Sequence, residues 1–115
     1  MTIEPIDFND LHLRAGNDDT LAREVLGDLI AIVERERPQL REACRTRAFD
    51  DAARTTHRLR GALLAVGAGW AARRAERLES VANEHRDEDI ENAFGRFEGA
   101  LDDAVAAIHR FLGRS

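Results

Sequence analysis

The sequence predicts an all-α protein: an antiparallel up-down-up-down four-helix bundle with a short N-terminal capping helix. Three observations predict it. Apolar residues recur at three- and four-residue spacing along most of the chain. No β-branched run alternates with polar residues, so strands find no support. The connections between the periodic segments are short, at about 43–48, 67–69 and 85–89, which favours helices that run alternately up and down.

Each element follows in order. Segment 7–14 carries Phe8, Leu11 and Leu13 and reads as a short lid over one end of the core. Leu21, Val25, Leu29, Ile32, Val33 and Leu40 mark the first long helix, opened by the capping signal Asn17-Asp18-Asp19. Pro38 falls inside it and should kink or split it, because proline lacks an N–H and crowds the preceding turn. A second helix covers about 48–66. A third covers about 70–84, with Ala71, Ala75, Leu78, Val81 and Ala82 on its apolar face. Trp70 reads as a large core residue beside the loop. Ile90, Phe94, Phe97, Leu101, Val105, Ile108 and Phe111 or Leu112 draw the last helix, which starts near the acidic cluster Asp87 to Asp89.

Composition bounds the function. The 115 residues, 43% hydrophobic and 34% charged, suit one globular domain over 1–115. No run approaches the roughly 18 apolar residues of a membrane span, and MTIEPIDFND lacks a signal core. A cytoplasmic protein without membrane contact is expected. Cys44 is the single cysteine, so an internal disulfide and a multi-cysteine metal site are excluded. A plain, half-buried thiol is expected there. The net charge of −5 argues against nucleic acid as the main partner. There is no lysine, and Arg41, Arg45, Arg47, Arg54, Arg58, Arg60, Arg73, Arg74 and Arg77 gather in the middle of the chain. His12, His85 and His109 show no metal-ligand spacing, so surface roles are expected and no metal site is predicted. A monomer is the expectation, although Leu26 and Ile30 suggest a second exposed stripe that could support self-association.

His57 is the chemically interesting residue. With a turn of about 100° per residue, Ala48, Ala52, Thr55, Leu59, Ala62, Leu63 and Val66 fall on the side opposite to it. His57 therefore projects into water. Arg54, Arg60 and Gly61 lie beside it, and Leu64 and Ala68 fall in line with it further along. Glycine in a helix costs about 1 kcal/mol relative to alanine. Gly61 removes a side chain next to the imidazole and clears an approach. Arg60 offers a fixed charge that forks onto phosphate oxygens. Leu64 is an apolar residue on a polar face, a hint of docking. A neutral imidazole is a competent nucleophile near neutral pH. The plain readings stay open on geometry alone: a surface histidine, a glycine for close helix packing, and a Leu64 covered by the lid.

His57-Arg58-Leu59-Arg60-Gly61-Ala62, then Val66-Gly67-Ala68 and later Leu78-Glu79, resembles the signature of histidine-containing phosphotransfer domains. GNDDTLAREVL and AFDDAARTTH resemble the family's approach segments, and the likeness runs from about Ile6 to Phe111. It looks closest to modules at the C-terminal end of hybrid sensor kinases, and a parent of that kind would be a histidine kinase. The resemblance implies a phosphorelay intermediate. His57 would accept a phosphoryl group on its outer ring nitrogen from a receiver-domain aspartate and pass it to another. Arg60 would neutralise the phosphoryl oxygens, Gly61 would give access, and Arg54, Leu64 and Ala68 would meet the receiver. The partners would be receiver domains of a hybrid histidine kinase or a response regulator. They would supply the aspartate and the magnesium ion, so no cofactor is expected on this chain and no second catalytic group near His57. Arg60 stands where lysine is usual, Leu63 and Leu64 replace smaller residues, and Ala48 stands where an acidic cap is frequent. Arg73, Arg74 and Arg77 either steer an acidic receiver or form a solvated face. Nothing resembles a nucleotide-binding loop, so the protein is expected to be a carrier without autonomous catalysis. The competing functions are a non-phosphorylated adaptor that binds a kinase or response regulator, and a carboxylate-metal bundle enzyme, disfavoured because Glu-x-x-His pairs are missing.

Overall fold

The computed structural model describes residues 4–113, which form helices and, among the described residues, no strand. The helices are α1 (Phe8–Arg14), α2 (Asp19–Arg45), α3 (Phe49–Ala65), α4 (Gly69–Asn83) and α5 (Ile90–Leu112). Consecutive helices pack on one another, α3 and α4 most extensively, and α2 also meets α5, which closes the bundle.

The start signals work as their chemistry requires. The Asp7 carboxylate accepts the Asp10 N–H at 2.9 Å and opens α1. The Asp18 carboxylate accepts the Leu21 N–H at 3.1 Å and opens α2. Such a cap contributes about 1 kcal/mol. Ala48 caps α3 without a side-chain bond, and α3 still starts at Phe49. Asp50 and Asp51 in its first turn favour the helix dipole there.

The core is drawn from one face of each helix. Leu29 and Leu40 of α2, Leu59 and Leu63 of α3, Leu78 of α4, and Ile90, Phe97, Leu101 and Ile108 of α5 are buried. Burying each such side chain contributes about 1.5–3 kcal/mol. Alanines are buried among them: Ala52 and Ala53 on α3, and Ala71, Ala72, Ala75 and Ala82 on α4. Cys44 is buried, and burial pushes its thiol up to about 11. Trp70 is half-buried, with the Arg74 guanidinium 4.5 Å over its ring.

Three expectations are corrected. Of the two outcomes expected at Pro38, a kink or a split, the split does not occur, and α2 continues to Arg45. The proline removes one N–H, while the buried neighbours Val33 and Leu40 hold the helix on both sides of it. Leu26 is not on an exposed stripe. It is fully buried, because α2 packs against both α3 and α5 and so needs a wide apolar face. Leu13 does not cover the core and is 70% exposed. The covering is done by Leu11, which is buried, and by Phe8, which stacks on Phe111 at 4.7 Å.

The corners are fixed by specific bonds. Arg47 and His85 both have left-handed backbone, at φ 60° and 53°. That conformation costs a non-glycine residue roughly 1–2 kcal/mol. Arg47 offsets it by donating to Asp87 at 2.7 Å and to the Cys44 carbonyl at 2.9 Å. His85 stacks on Phe49 at 4.9 Å. The α3–α4 corner uses Gly67 at φ 75°, where a Cβ would lie 2.9 Å from the Asp7 carbonyl oxygen. The Asp7 N–H donates to the Gly67 carbonyl at 2.9 Å, so the chain before α1 is strapped across this corner.

Candidate functional site

His57 lies in the middle of α3, and Ala52, Thr55, Leu59 and Leu63, which point away from it around the helix, are buried. The buried hydroxyl of Thr56 donates back to the Ala52 carbonyl at 2.6 Å, so this polar core group is satisfied within the helix. The α3 face opposite to His57 therefore carries the packing, and the His57 side chain is 64% exposed.

The imidazole does not stand alone. Its Nδ1 lies 3.0 Å from Oε2 of Glu79, on α4. The other carboxylate oxygen, Oε1, accepts from Arg60 Nη1 at 3.1 Å. Glu79 is only 17% exposed and bridges the two α3 residues. An ionised carboxylate only accepts hydrogen bonds, so the ring tautomer that suits this contact carries its proton on Nδ1, and that tautomer leaves the Nε2 lone pair free. Because Glu79 also holds Arg60, its charge is compensated on one side and directed at the ring on the other.

The surroundings follow from the helix geometry. A Cβ built on Gly61 meets nothing within 4 Å, so the position is open space and not a close helix contact. Leu64 is 49% exposed. Leu63 is buried, as its place on the far face requires. Arg54 is exposed and ion-paired with Asp51. Arg58 reaches across to Glu36 of α2 at 3.3 Å. A shallow groove of about 380 Å³ runs beside the ring between α3 and α4, lined by Ala53, Arg54, His57, Arg58, Glu79 and Asn83.

One predicted site residue is misplaced. Ala68 is fully buried and caps α4. Its angular projection from His57 assumed a helix continuing past Ala65, whereas the left-handed Gly67 turns the chain away. For the arginines left between steering a receiver and forming a solvated face, the fold gives a position for two. Arg74 and Arg77 line a groove toward α5, on the other side of α4 from Glu79.

Glu79 was named in the sequence only as part of the Leu78-Glu79 pair and given no role there; its place beside His57 comes from the fold. The signal was an acid beside the apolar stripe Ala75, Leu78 and Ala82, where a solvated face residue would be less buried. Leu13, expected in the lid, is exposed instead. It rides on α1, whose Arg14 donates to the Leu64 carbonyl at 3.1 Å, so two exposed leucines belong to adjoining elements. Among the described residues, no cluster of three or more His, Cys, Asp or Glu side chains could hold a metal ion. None of the helices is long and apolar enough to cross a membrane. His12 contacts the Phe8 carbonyl at 3.0 Å, and His85 approaches Asp50 at 3.7 Å.

A helical bundle that lifts one oriented imidazole into solvent has the arrangement of a group carrier. The family model of the Hpt domain matches residues 24–111, and the chain belongs to that family. Hpt domains act in histidine phosphotransfer within phosphorelay signalling, as phosphocarriers that interact with receiver domains. No curated protein and no solved structure gave a match.

Proposed function

We propose that this chain is a single phosphotransfer domain in which His57 accepts a phosphoryl group from the aspartyl phosphate of one receiver domain and passes it to the aspartate of another. The observation that carries the reading is the exposed His57 ring with Nδ1 held by Glu79. In the transfer the Nε2 lone pair forms the N–P bond, and the P–O bond to the receiver's aspartate breaks, leaving its carboxylate. The ring then carries positive charge shared with its Nδ1–H. The Glu79 carboxylate at 3.0 Å offsets that charge in place and makes the forward step easier. Arg60 has further N–H groups besides the one on Glu79, and these serve the phosphoryl oxygens. Arg54, Leu64 and the additional Leu13 form the receiver-facing surface.

The receiver contributes the aspartate and a magnesium ion, so the site is completed only in the complex. The four long helices run up-down-up-down with α1 as a cap, in keeping with their short connections. The chain acts as a cytoplasmic monomer without catalysis of its own.

The test is incubation with a phosphorylated receiver domain, comparing the protein with His57→Gln. Label should move to the protein, resist base and be lost in acid, and should be absent from the variant. Transfer undiminished in His57→Gln overturns the reading.

Gly61 separates docking from packing. Alanine there meets no neighbour and should stabilise the helix by about 0.5–1 kcal/mol in urea unfolding. The same substitution adds a methyl group on the receiver's approach and should slow transfer. Unchanged transfer kinetics in Gly61→Ala would show that the open space has no part in docking.

A further inference from the structure

The groove between α4 and α5 lies on a different side of the bundle from His57. Arg77 and Arg74 precede Glu79 by two and five positions, which sets them about 160° and 140° from it around α4. With Arg96 of α5 they line a concavity of about 440 Å³, whose remaining walls are Asp89, Asn92 and Ala93. Most of the chain's other arginines meet a carboxylate. Arg77 and Arg96 form no ion pair among the described residues. Arg74 lies over the Trp70 ring, which holds the guanidinium in place without neutralising it. The one carboxylate in the groove, Asp89, is taken by Arg86 at 2.6 Å. A chain of net charge −5 thus gathers three uncompensated guanidiniums from two helices at one concave place. Like charges brought together repel, and an anion between them relieves the repulsion.

We infer that this groove binds a compact anion carrying two or more phosphoryl groups. The guanidinium fork matches phosphate oxygens two at a time. Three forks offer more donors than the two oxygens of a single carboxylate can accept, whereas a diphosphate presents enough oxygens for all three. Asn92 adds a neutral amide donor to the same wall. The volume falls in the range of small-molecule sites, roughly 300–1,000 Å³. The site does not depend on phosphorylation of His57. It gives the domain a means of sensing a soluble phosphorylated compound on a face that the relay chemistry leaves unused.

The probes are pyrophosphate and ADP, titrated into the unphosphorylated full chain at fixed ionic strength and followed by NMR of backbone amides and arginine Nε–H groups. Both should give saturable shifts centred on Arg74, Arg77, Asn92 and Arg96, with inorganic phosphate binding more weakly. Equal affinity for the two probes assigns recognition to the phosphates, and tighter ADP binding adds a nucleoside contact. Arg77→Gln and Arg96→Gln should each weaken pyrophosphate binding about tenfold or more while leaving urea unfolding unchanged. His57→Gln should bind as the parent does, which separates this site from the relay. The inference is overturned if neither probe saturates, or if the Arg77→Gln/Arg96→Gln double variant binds pyrophosphate undiminished. It is also overturned if a polyglutamate peptide occupies the groove and pyrophosphate does not, since the face would then be a docking surface for acidic protein.

Discussion

Replacing Glu79 with alanine should slow phosphoryl transfer to His57 by roughly 10–100-fold, by analogy with the cost of losing the carboxylate behind a metal-binding histidine. Three effects act together. The ring loses the acceptor that holds Nδ1–H at 3.0 Å, so the tautomer with a free Nε2 is no longer favoured. The positive charge that develops on the ring loses its nearby counter-charge. Arg60 loses its anchor at 3.1 Å and swings more freely, so its alignment on the phosphoryl oxygens costs more entropy. Glu79→Gln separates these effects. Its amide oxygen still accepts from Nδ1–H, so orientation survives while the charge is lost, and the loss of rate should be smaller. The measurements are single-turnover transfer from a phosphorylated receiver and the imidazole ¹⁵N shifts, which report the protonated nitrogen. An alanine variant with parental rate and an unaltered tautomer would remove Glu79 from the mechanism.

The second large effect concerns the fold. Phe97→Ala should cost about 3–5 kcal/mol in urea unfolding. Phe97 is the largest fully buried side chain and sits on the α5 face that the rest of the bundle covers. Removing it takes away transfer energy and leaves a void that rigid helices fill only partly. Domains of this size are stable by about 5–15 kcal/mol in all, so the loss is a large fraction of the total. Leu13→Ala is the matched control. Its side chain is 70% exposed, and truncation should leave stability within about 0.5 kcal/mol. A Phe97→Ala protein as stable as the parent would show that α5 is not packed as described. Transfer per folded molecule should survive in it, because the ring and its carboxylate are carried by α3 and α4.

Much of this architecture was legible in the sequence. The helices could be read because their apolar residues follow the period that a helix imposes, and α3 and α4 end within one residue of the expected bounds. The outward projection of His57 followed from the same arithmetic, and so did the burial of Leu59 and Leu63. The misses share a cause, which is that periodicity is local. Leu26 is buried because α2 meets two partners, a fact no single helix contains. Ala68 was projected along a helix that Gly67 had already ended. Pro38 is tolerated because packing outweighs the loss of one hydrogen bond. Glu79 approaches His57 from 22 positions further along the chain, across a helix pair whose relative rotation only the fold determines.

The packing of α3 on α4 has a consequence of its own. The bridge from Glu79 to His57 and Arg60 joins side chains of two helices, so it exists only while the two keep their spacing. A change in that spacing should therefore loosen the hold on the exposed ring while leaving His57, Glu79 and Arg60 themselves unaltered.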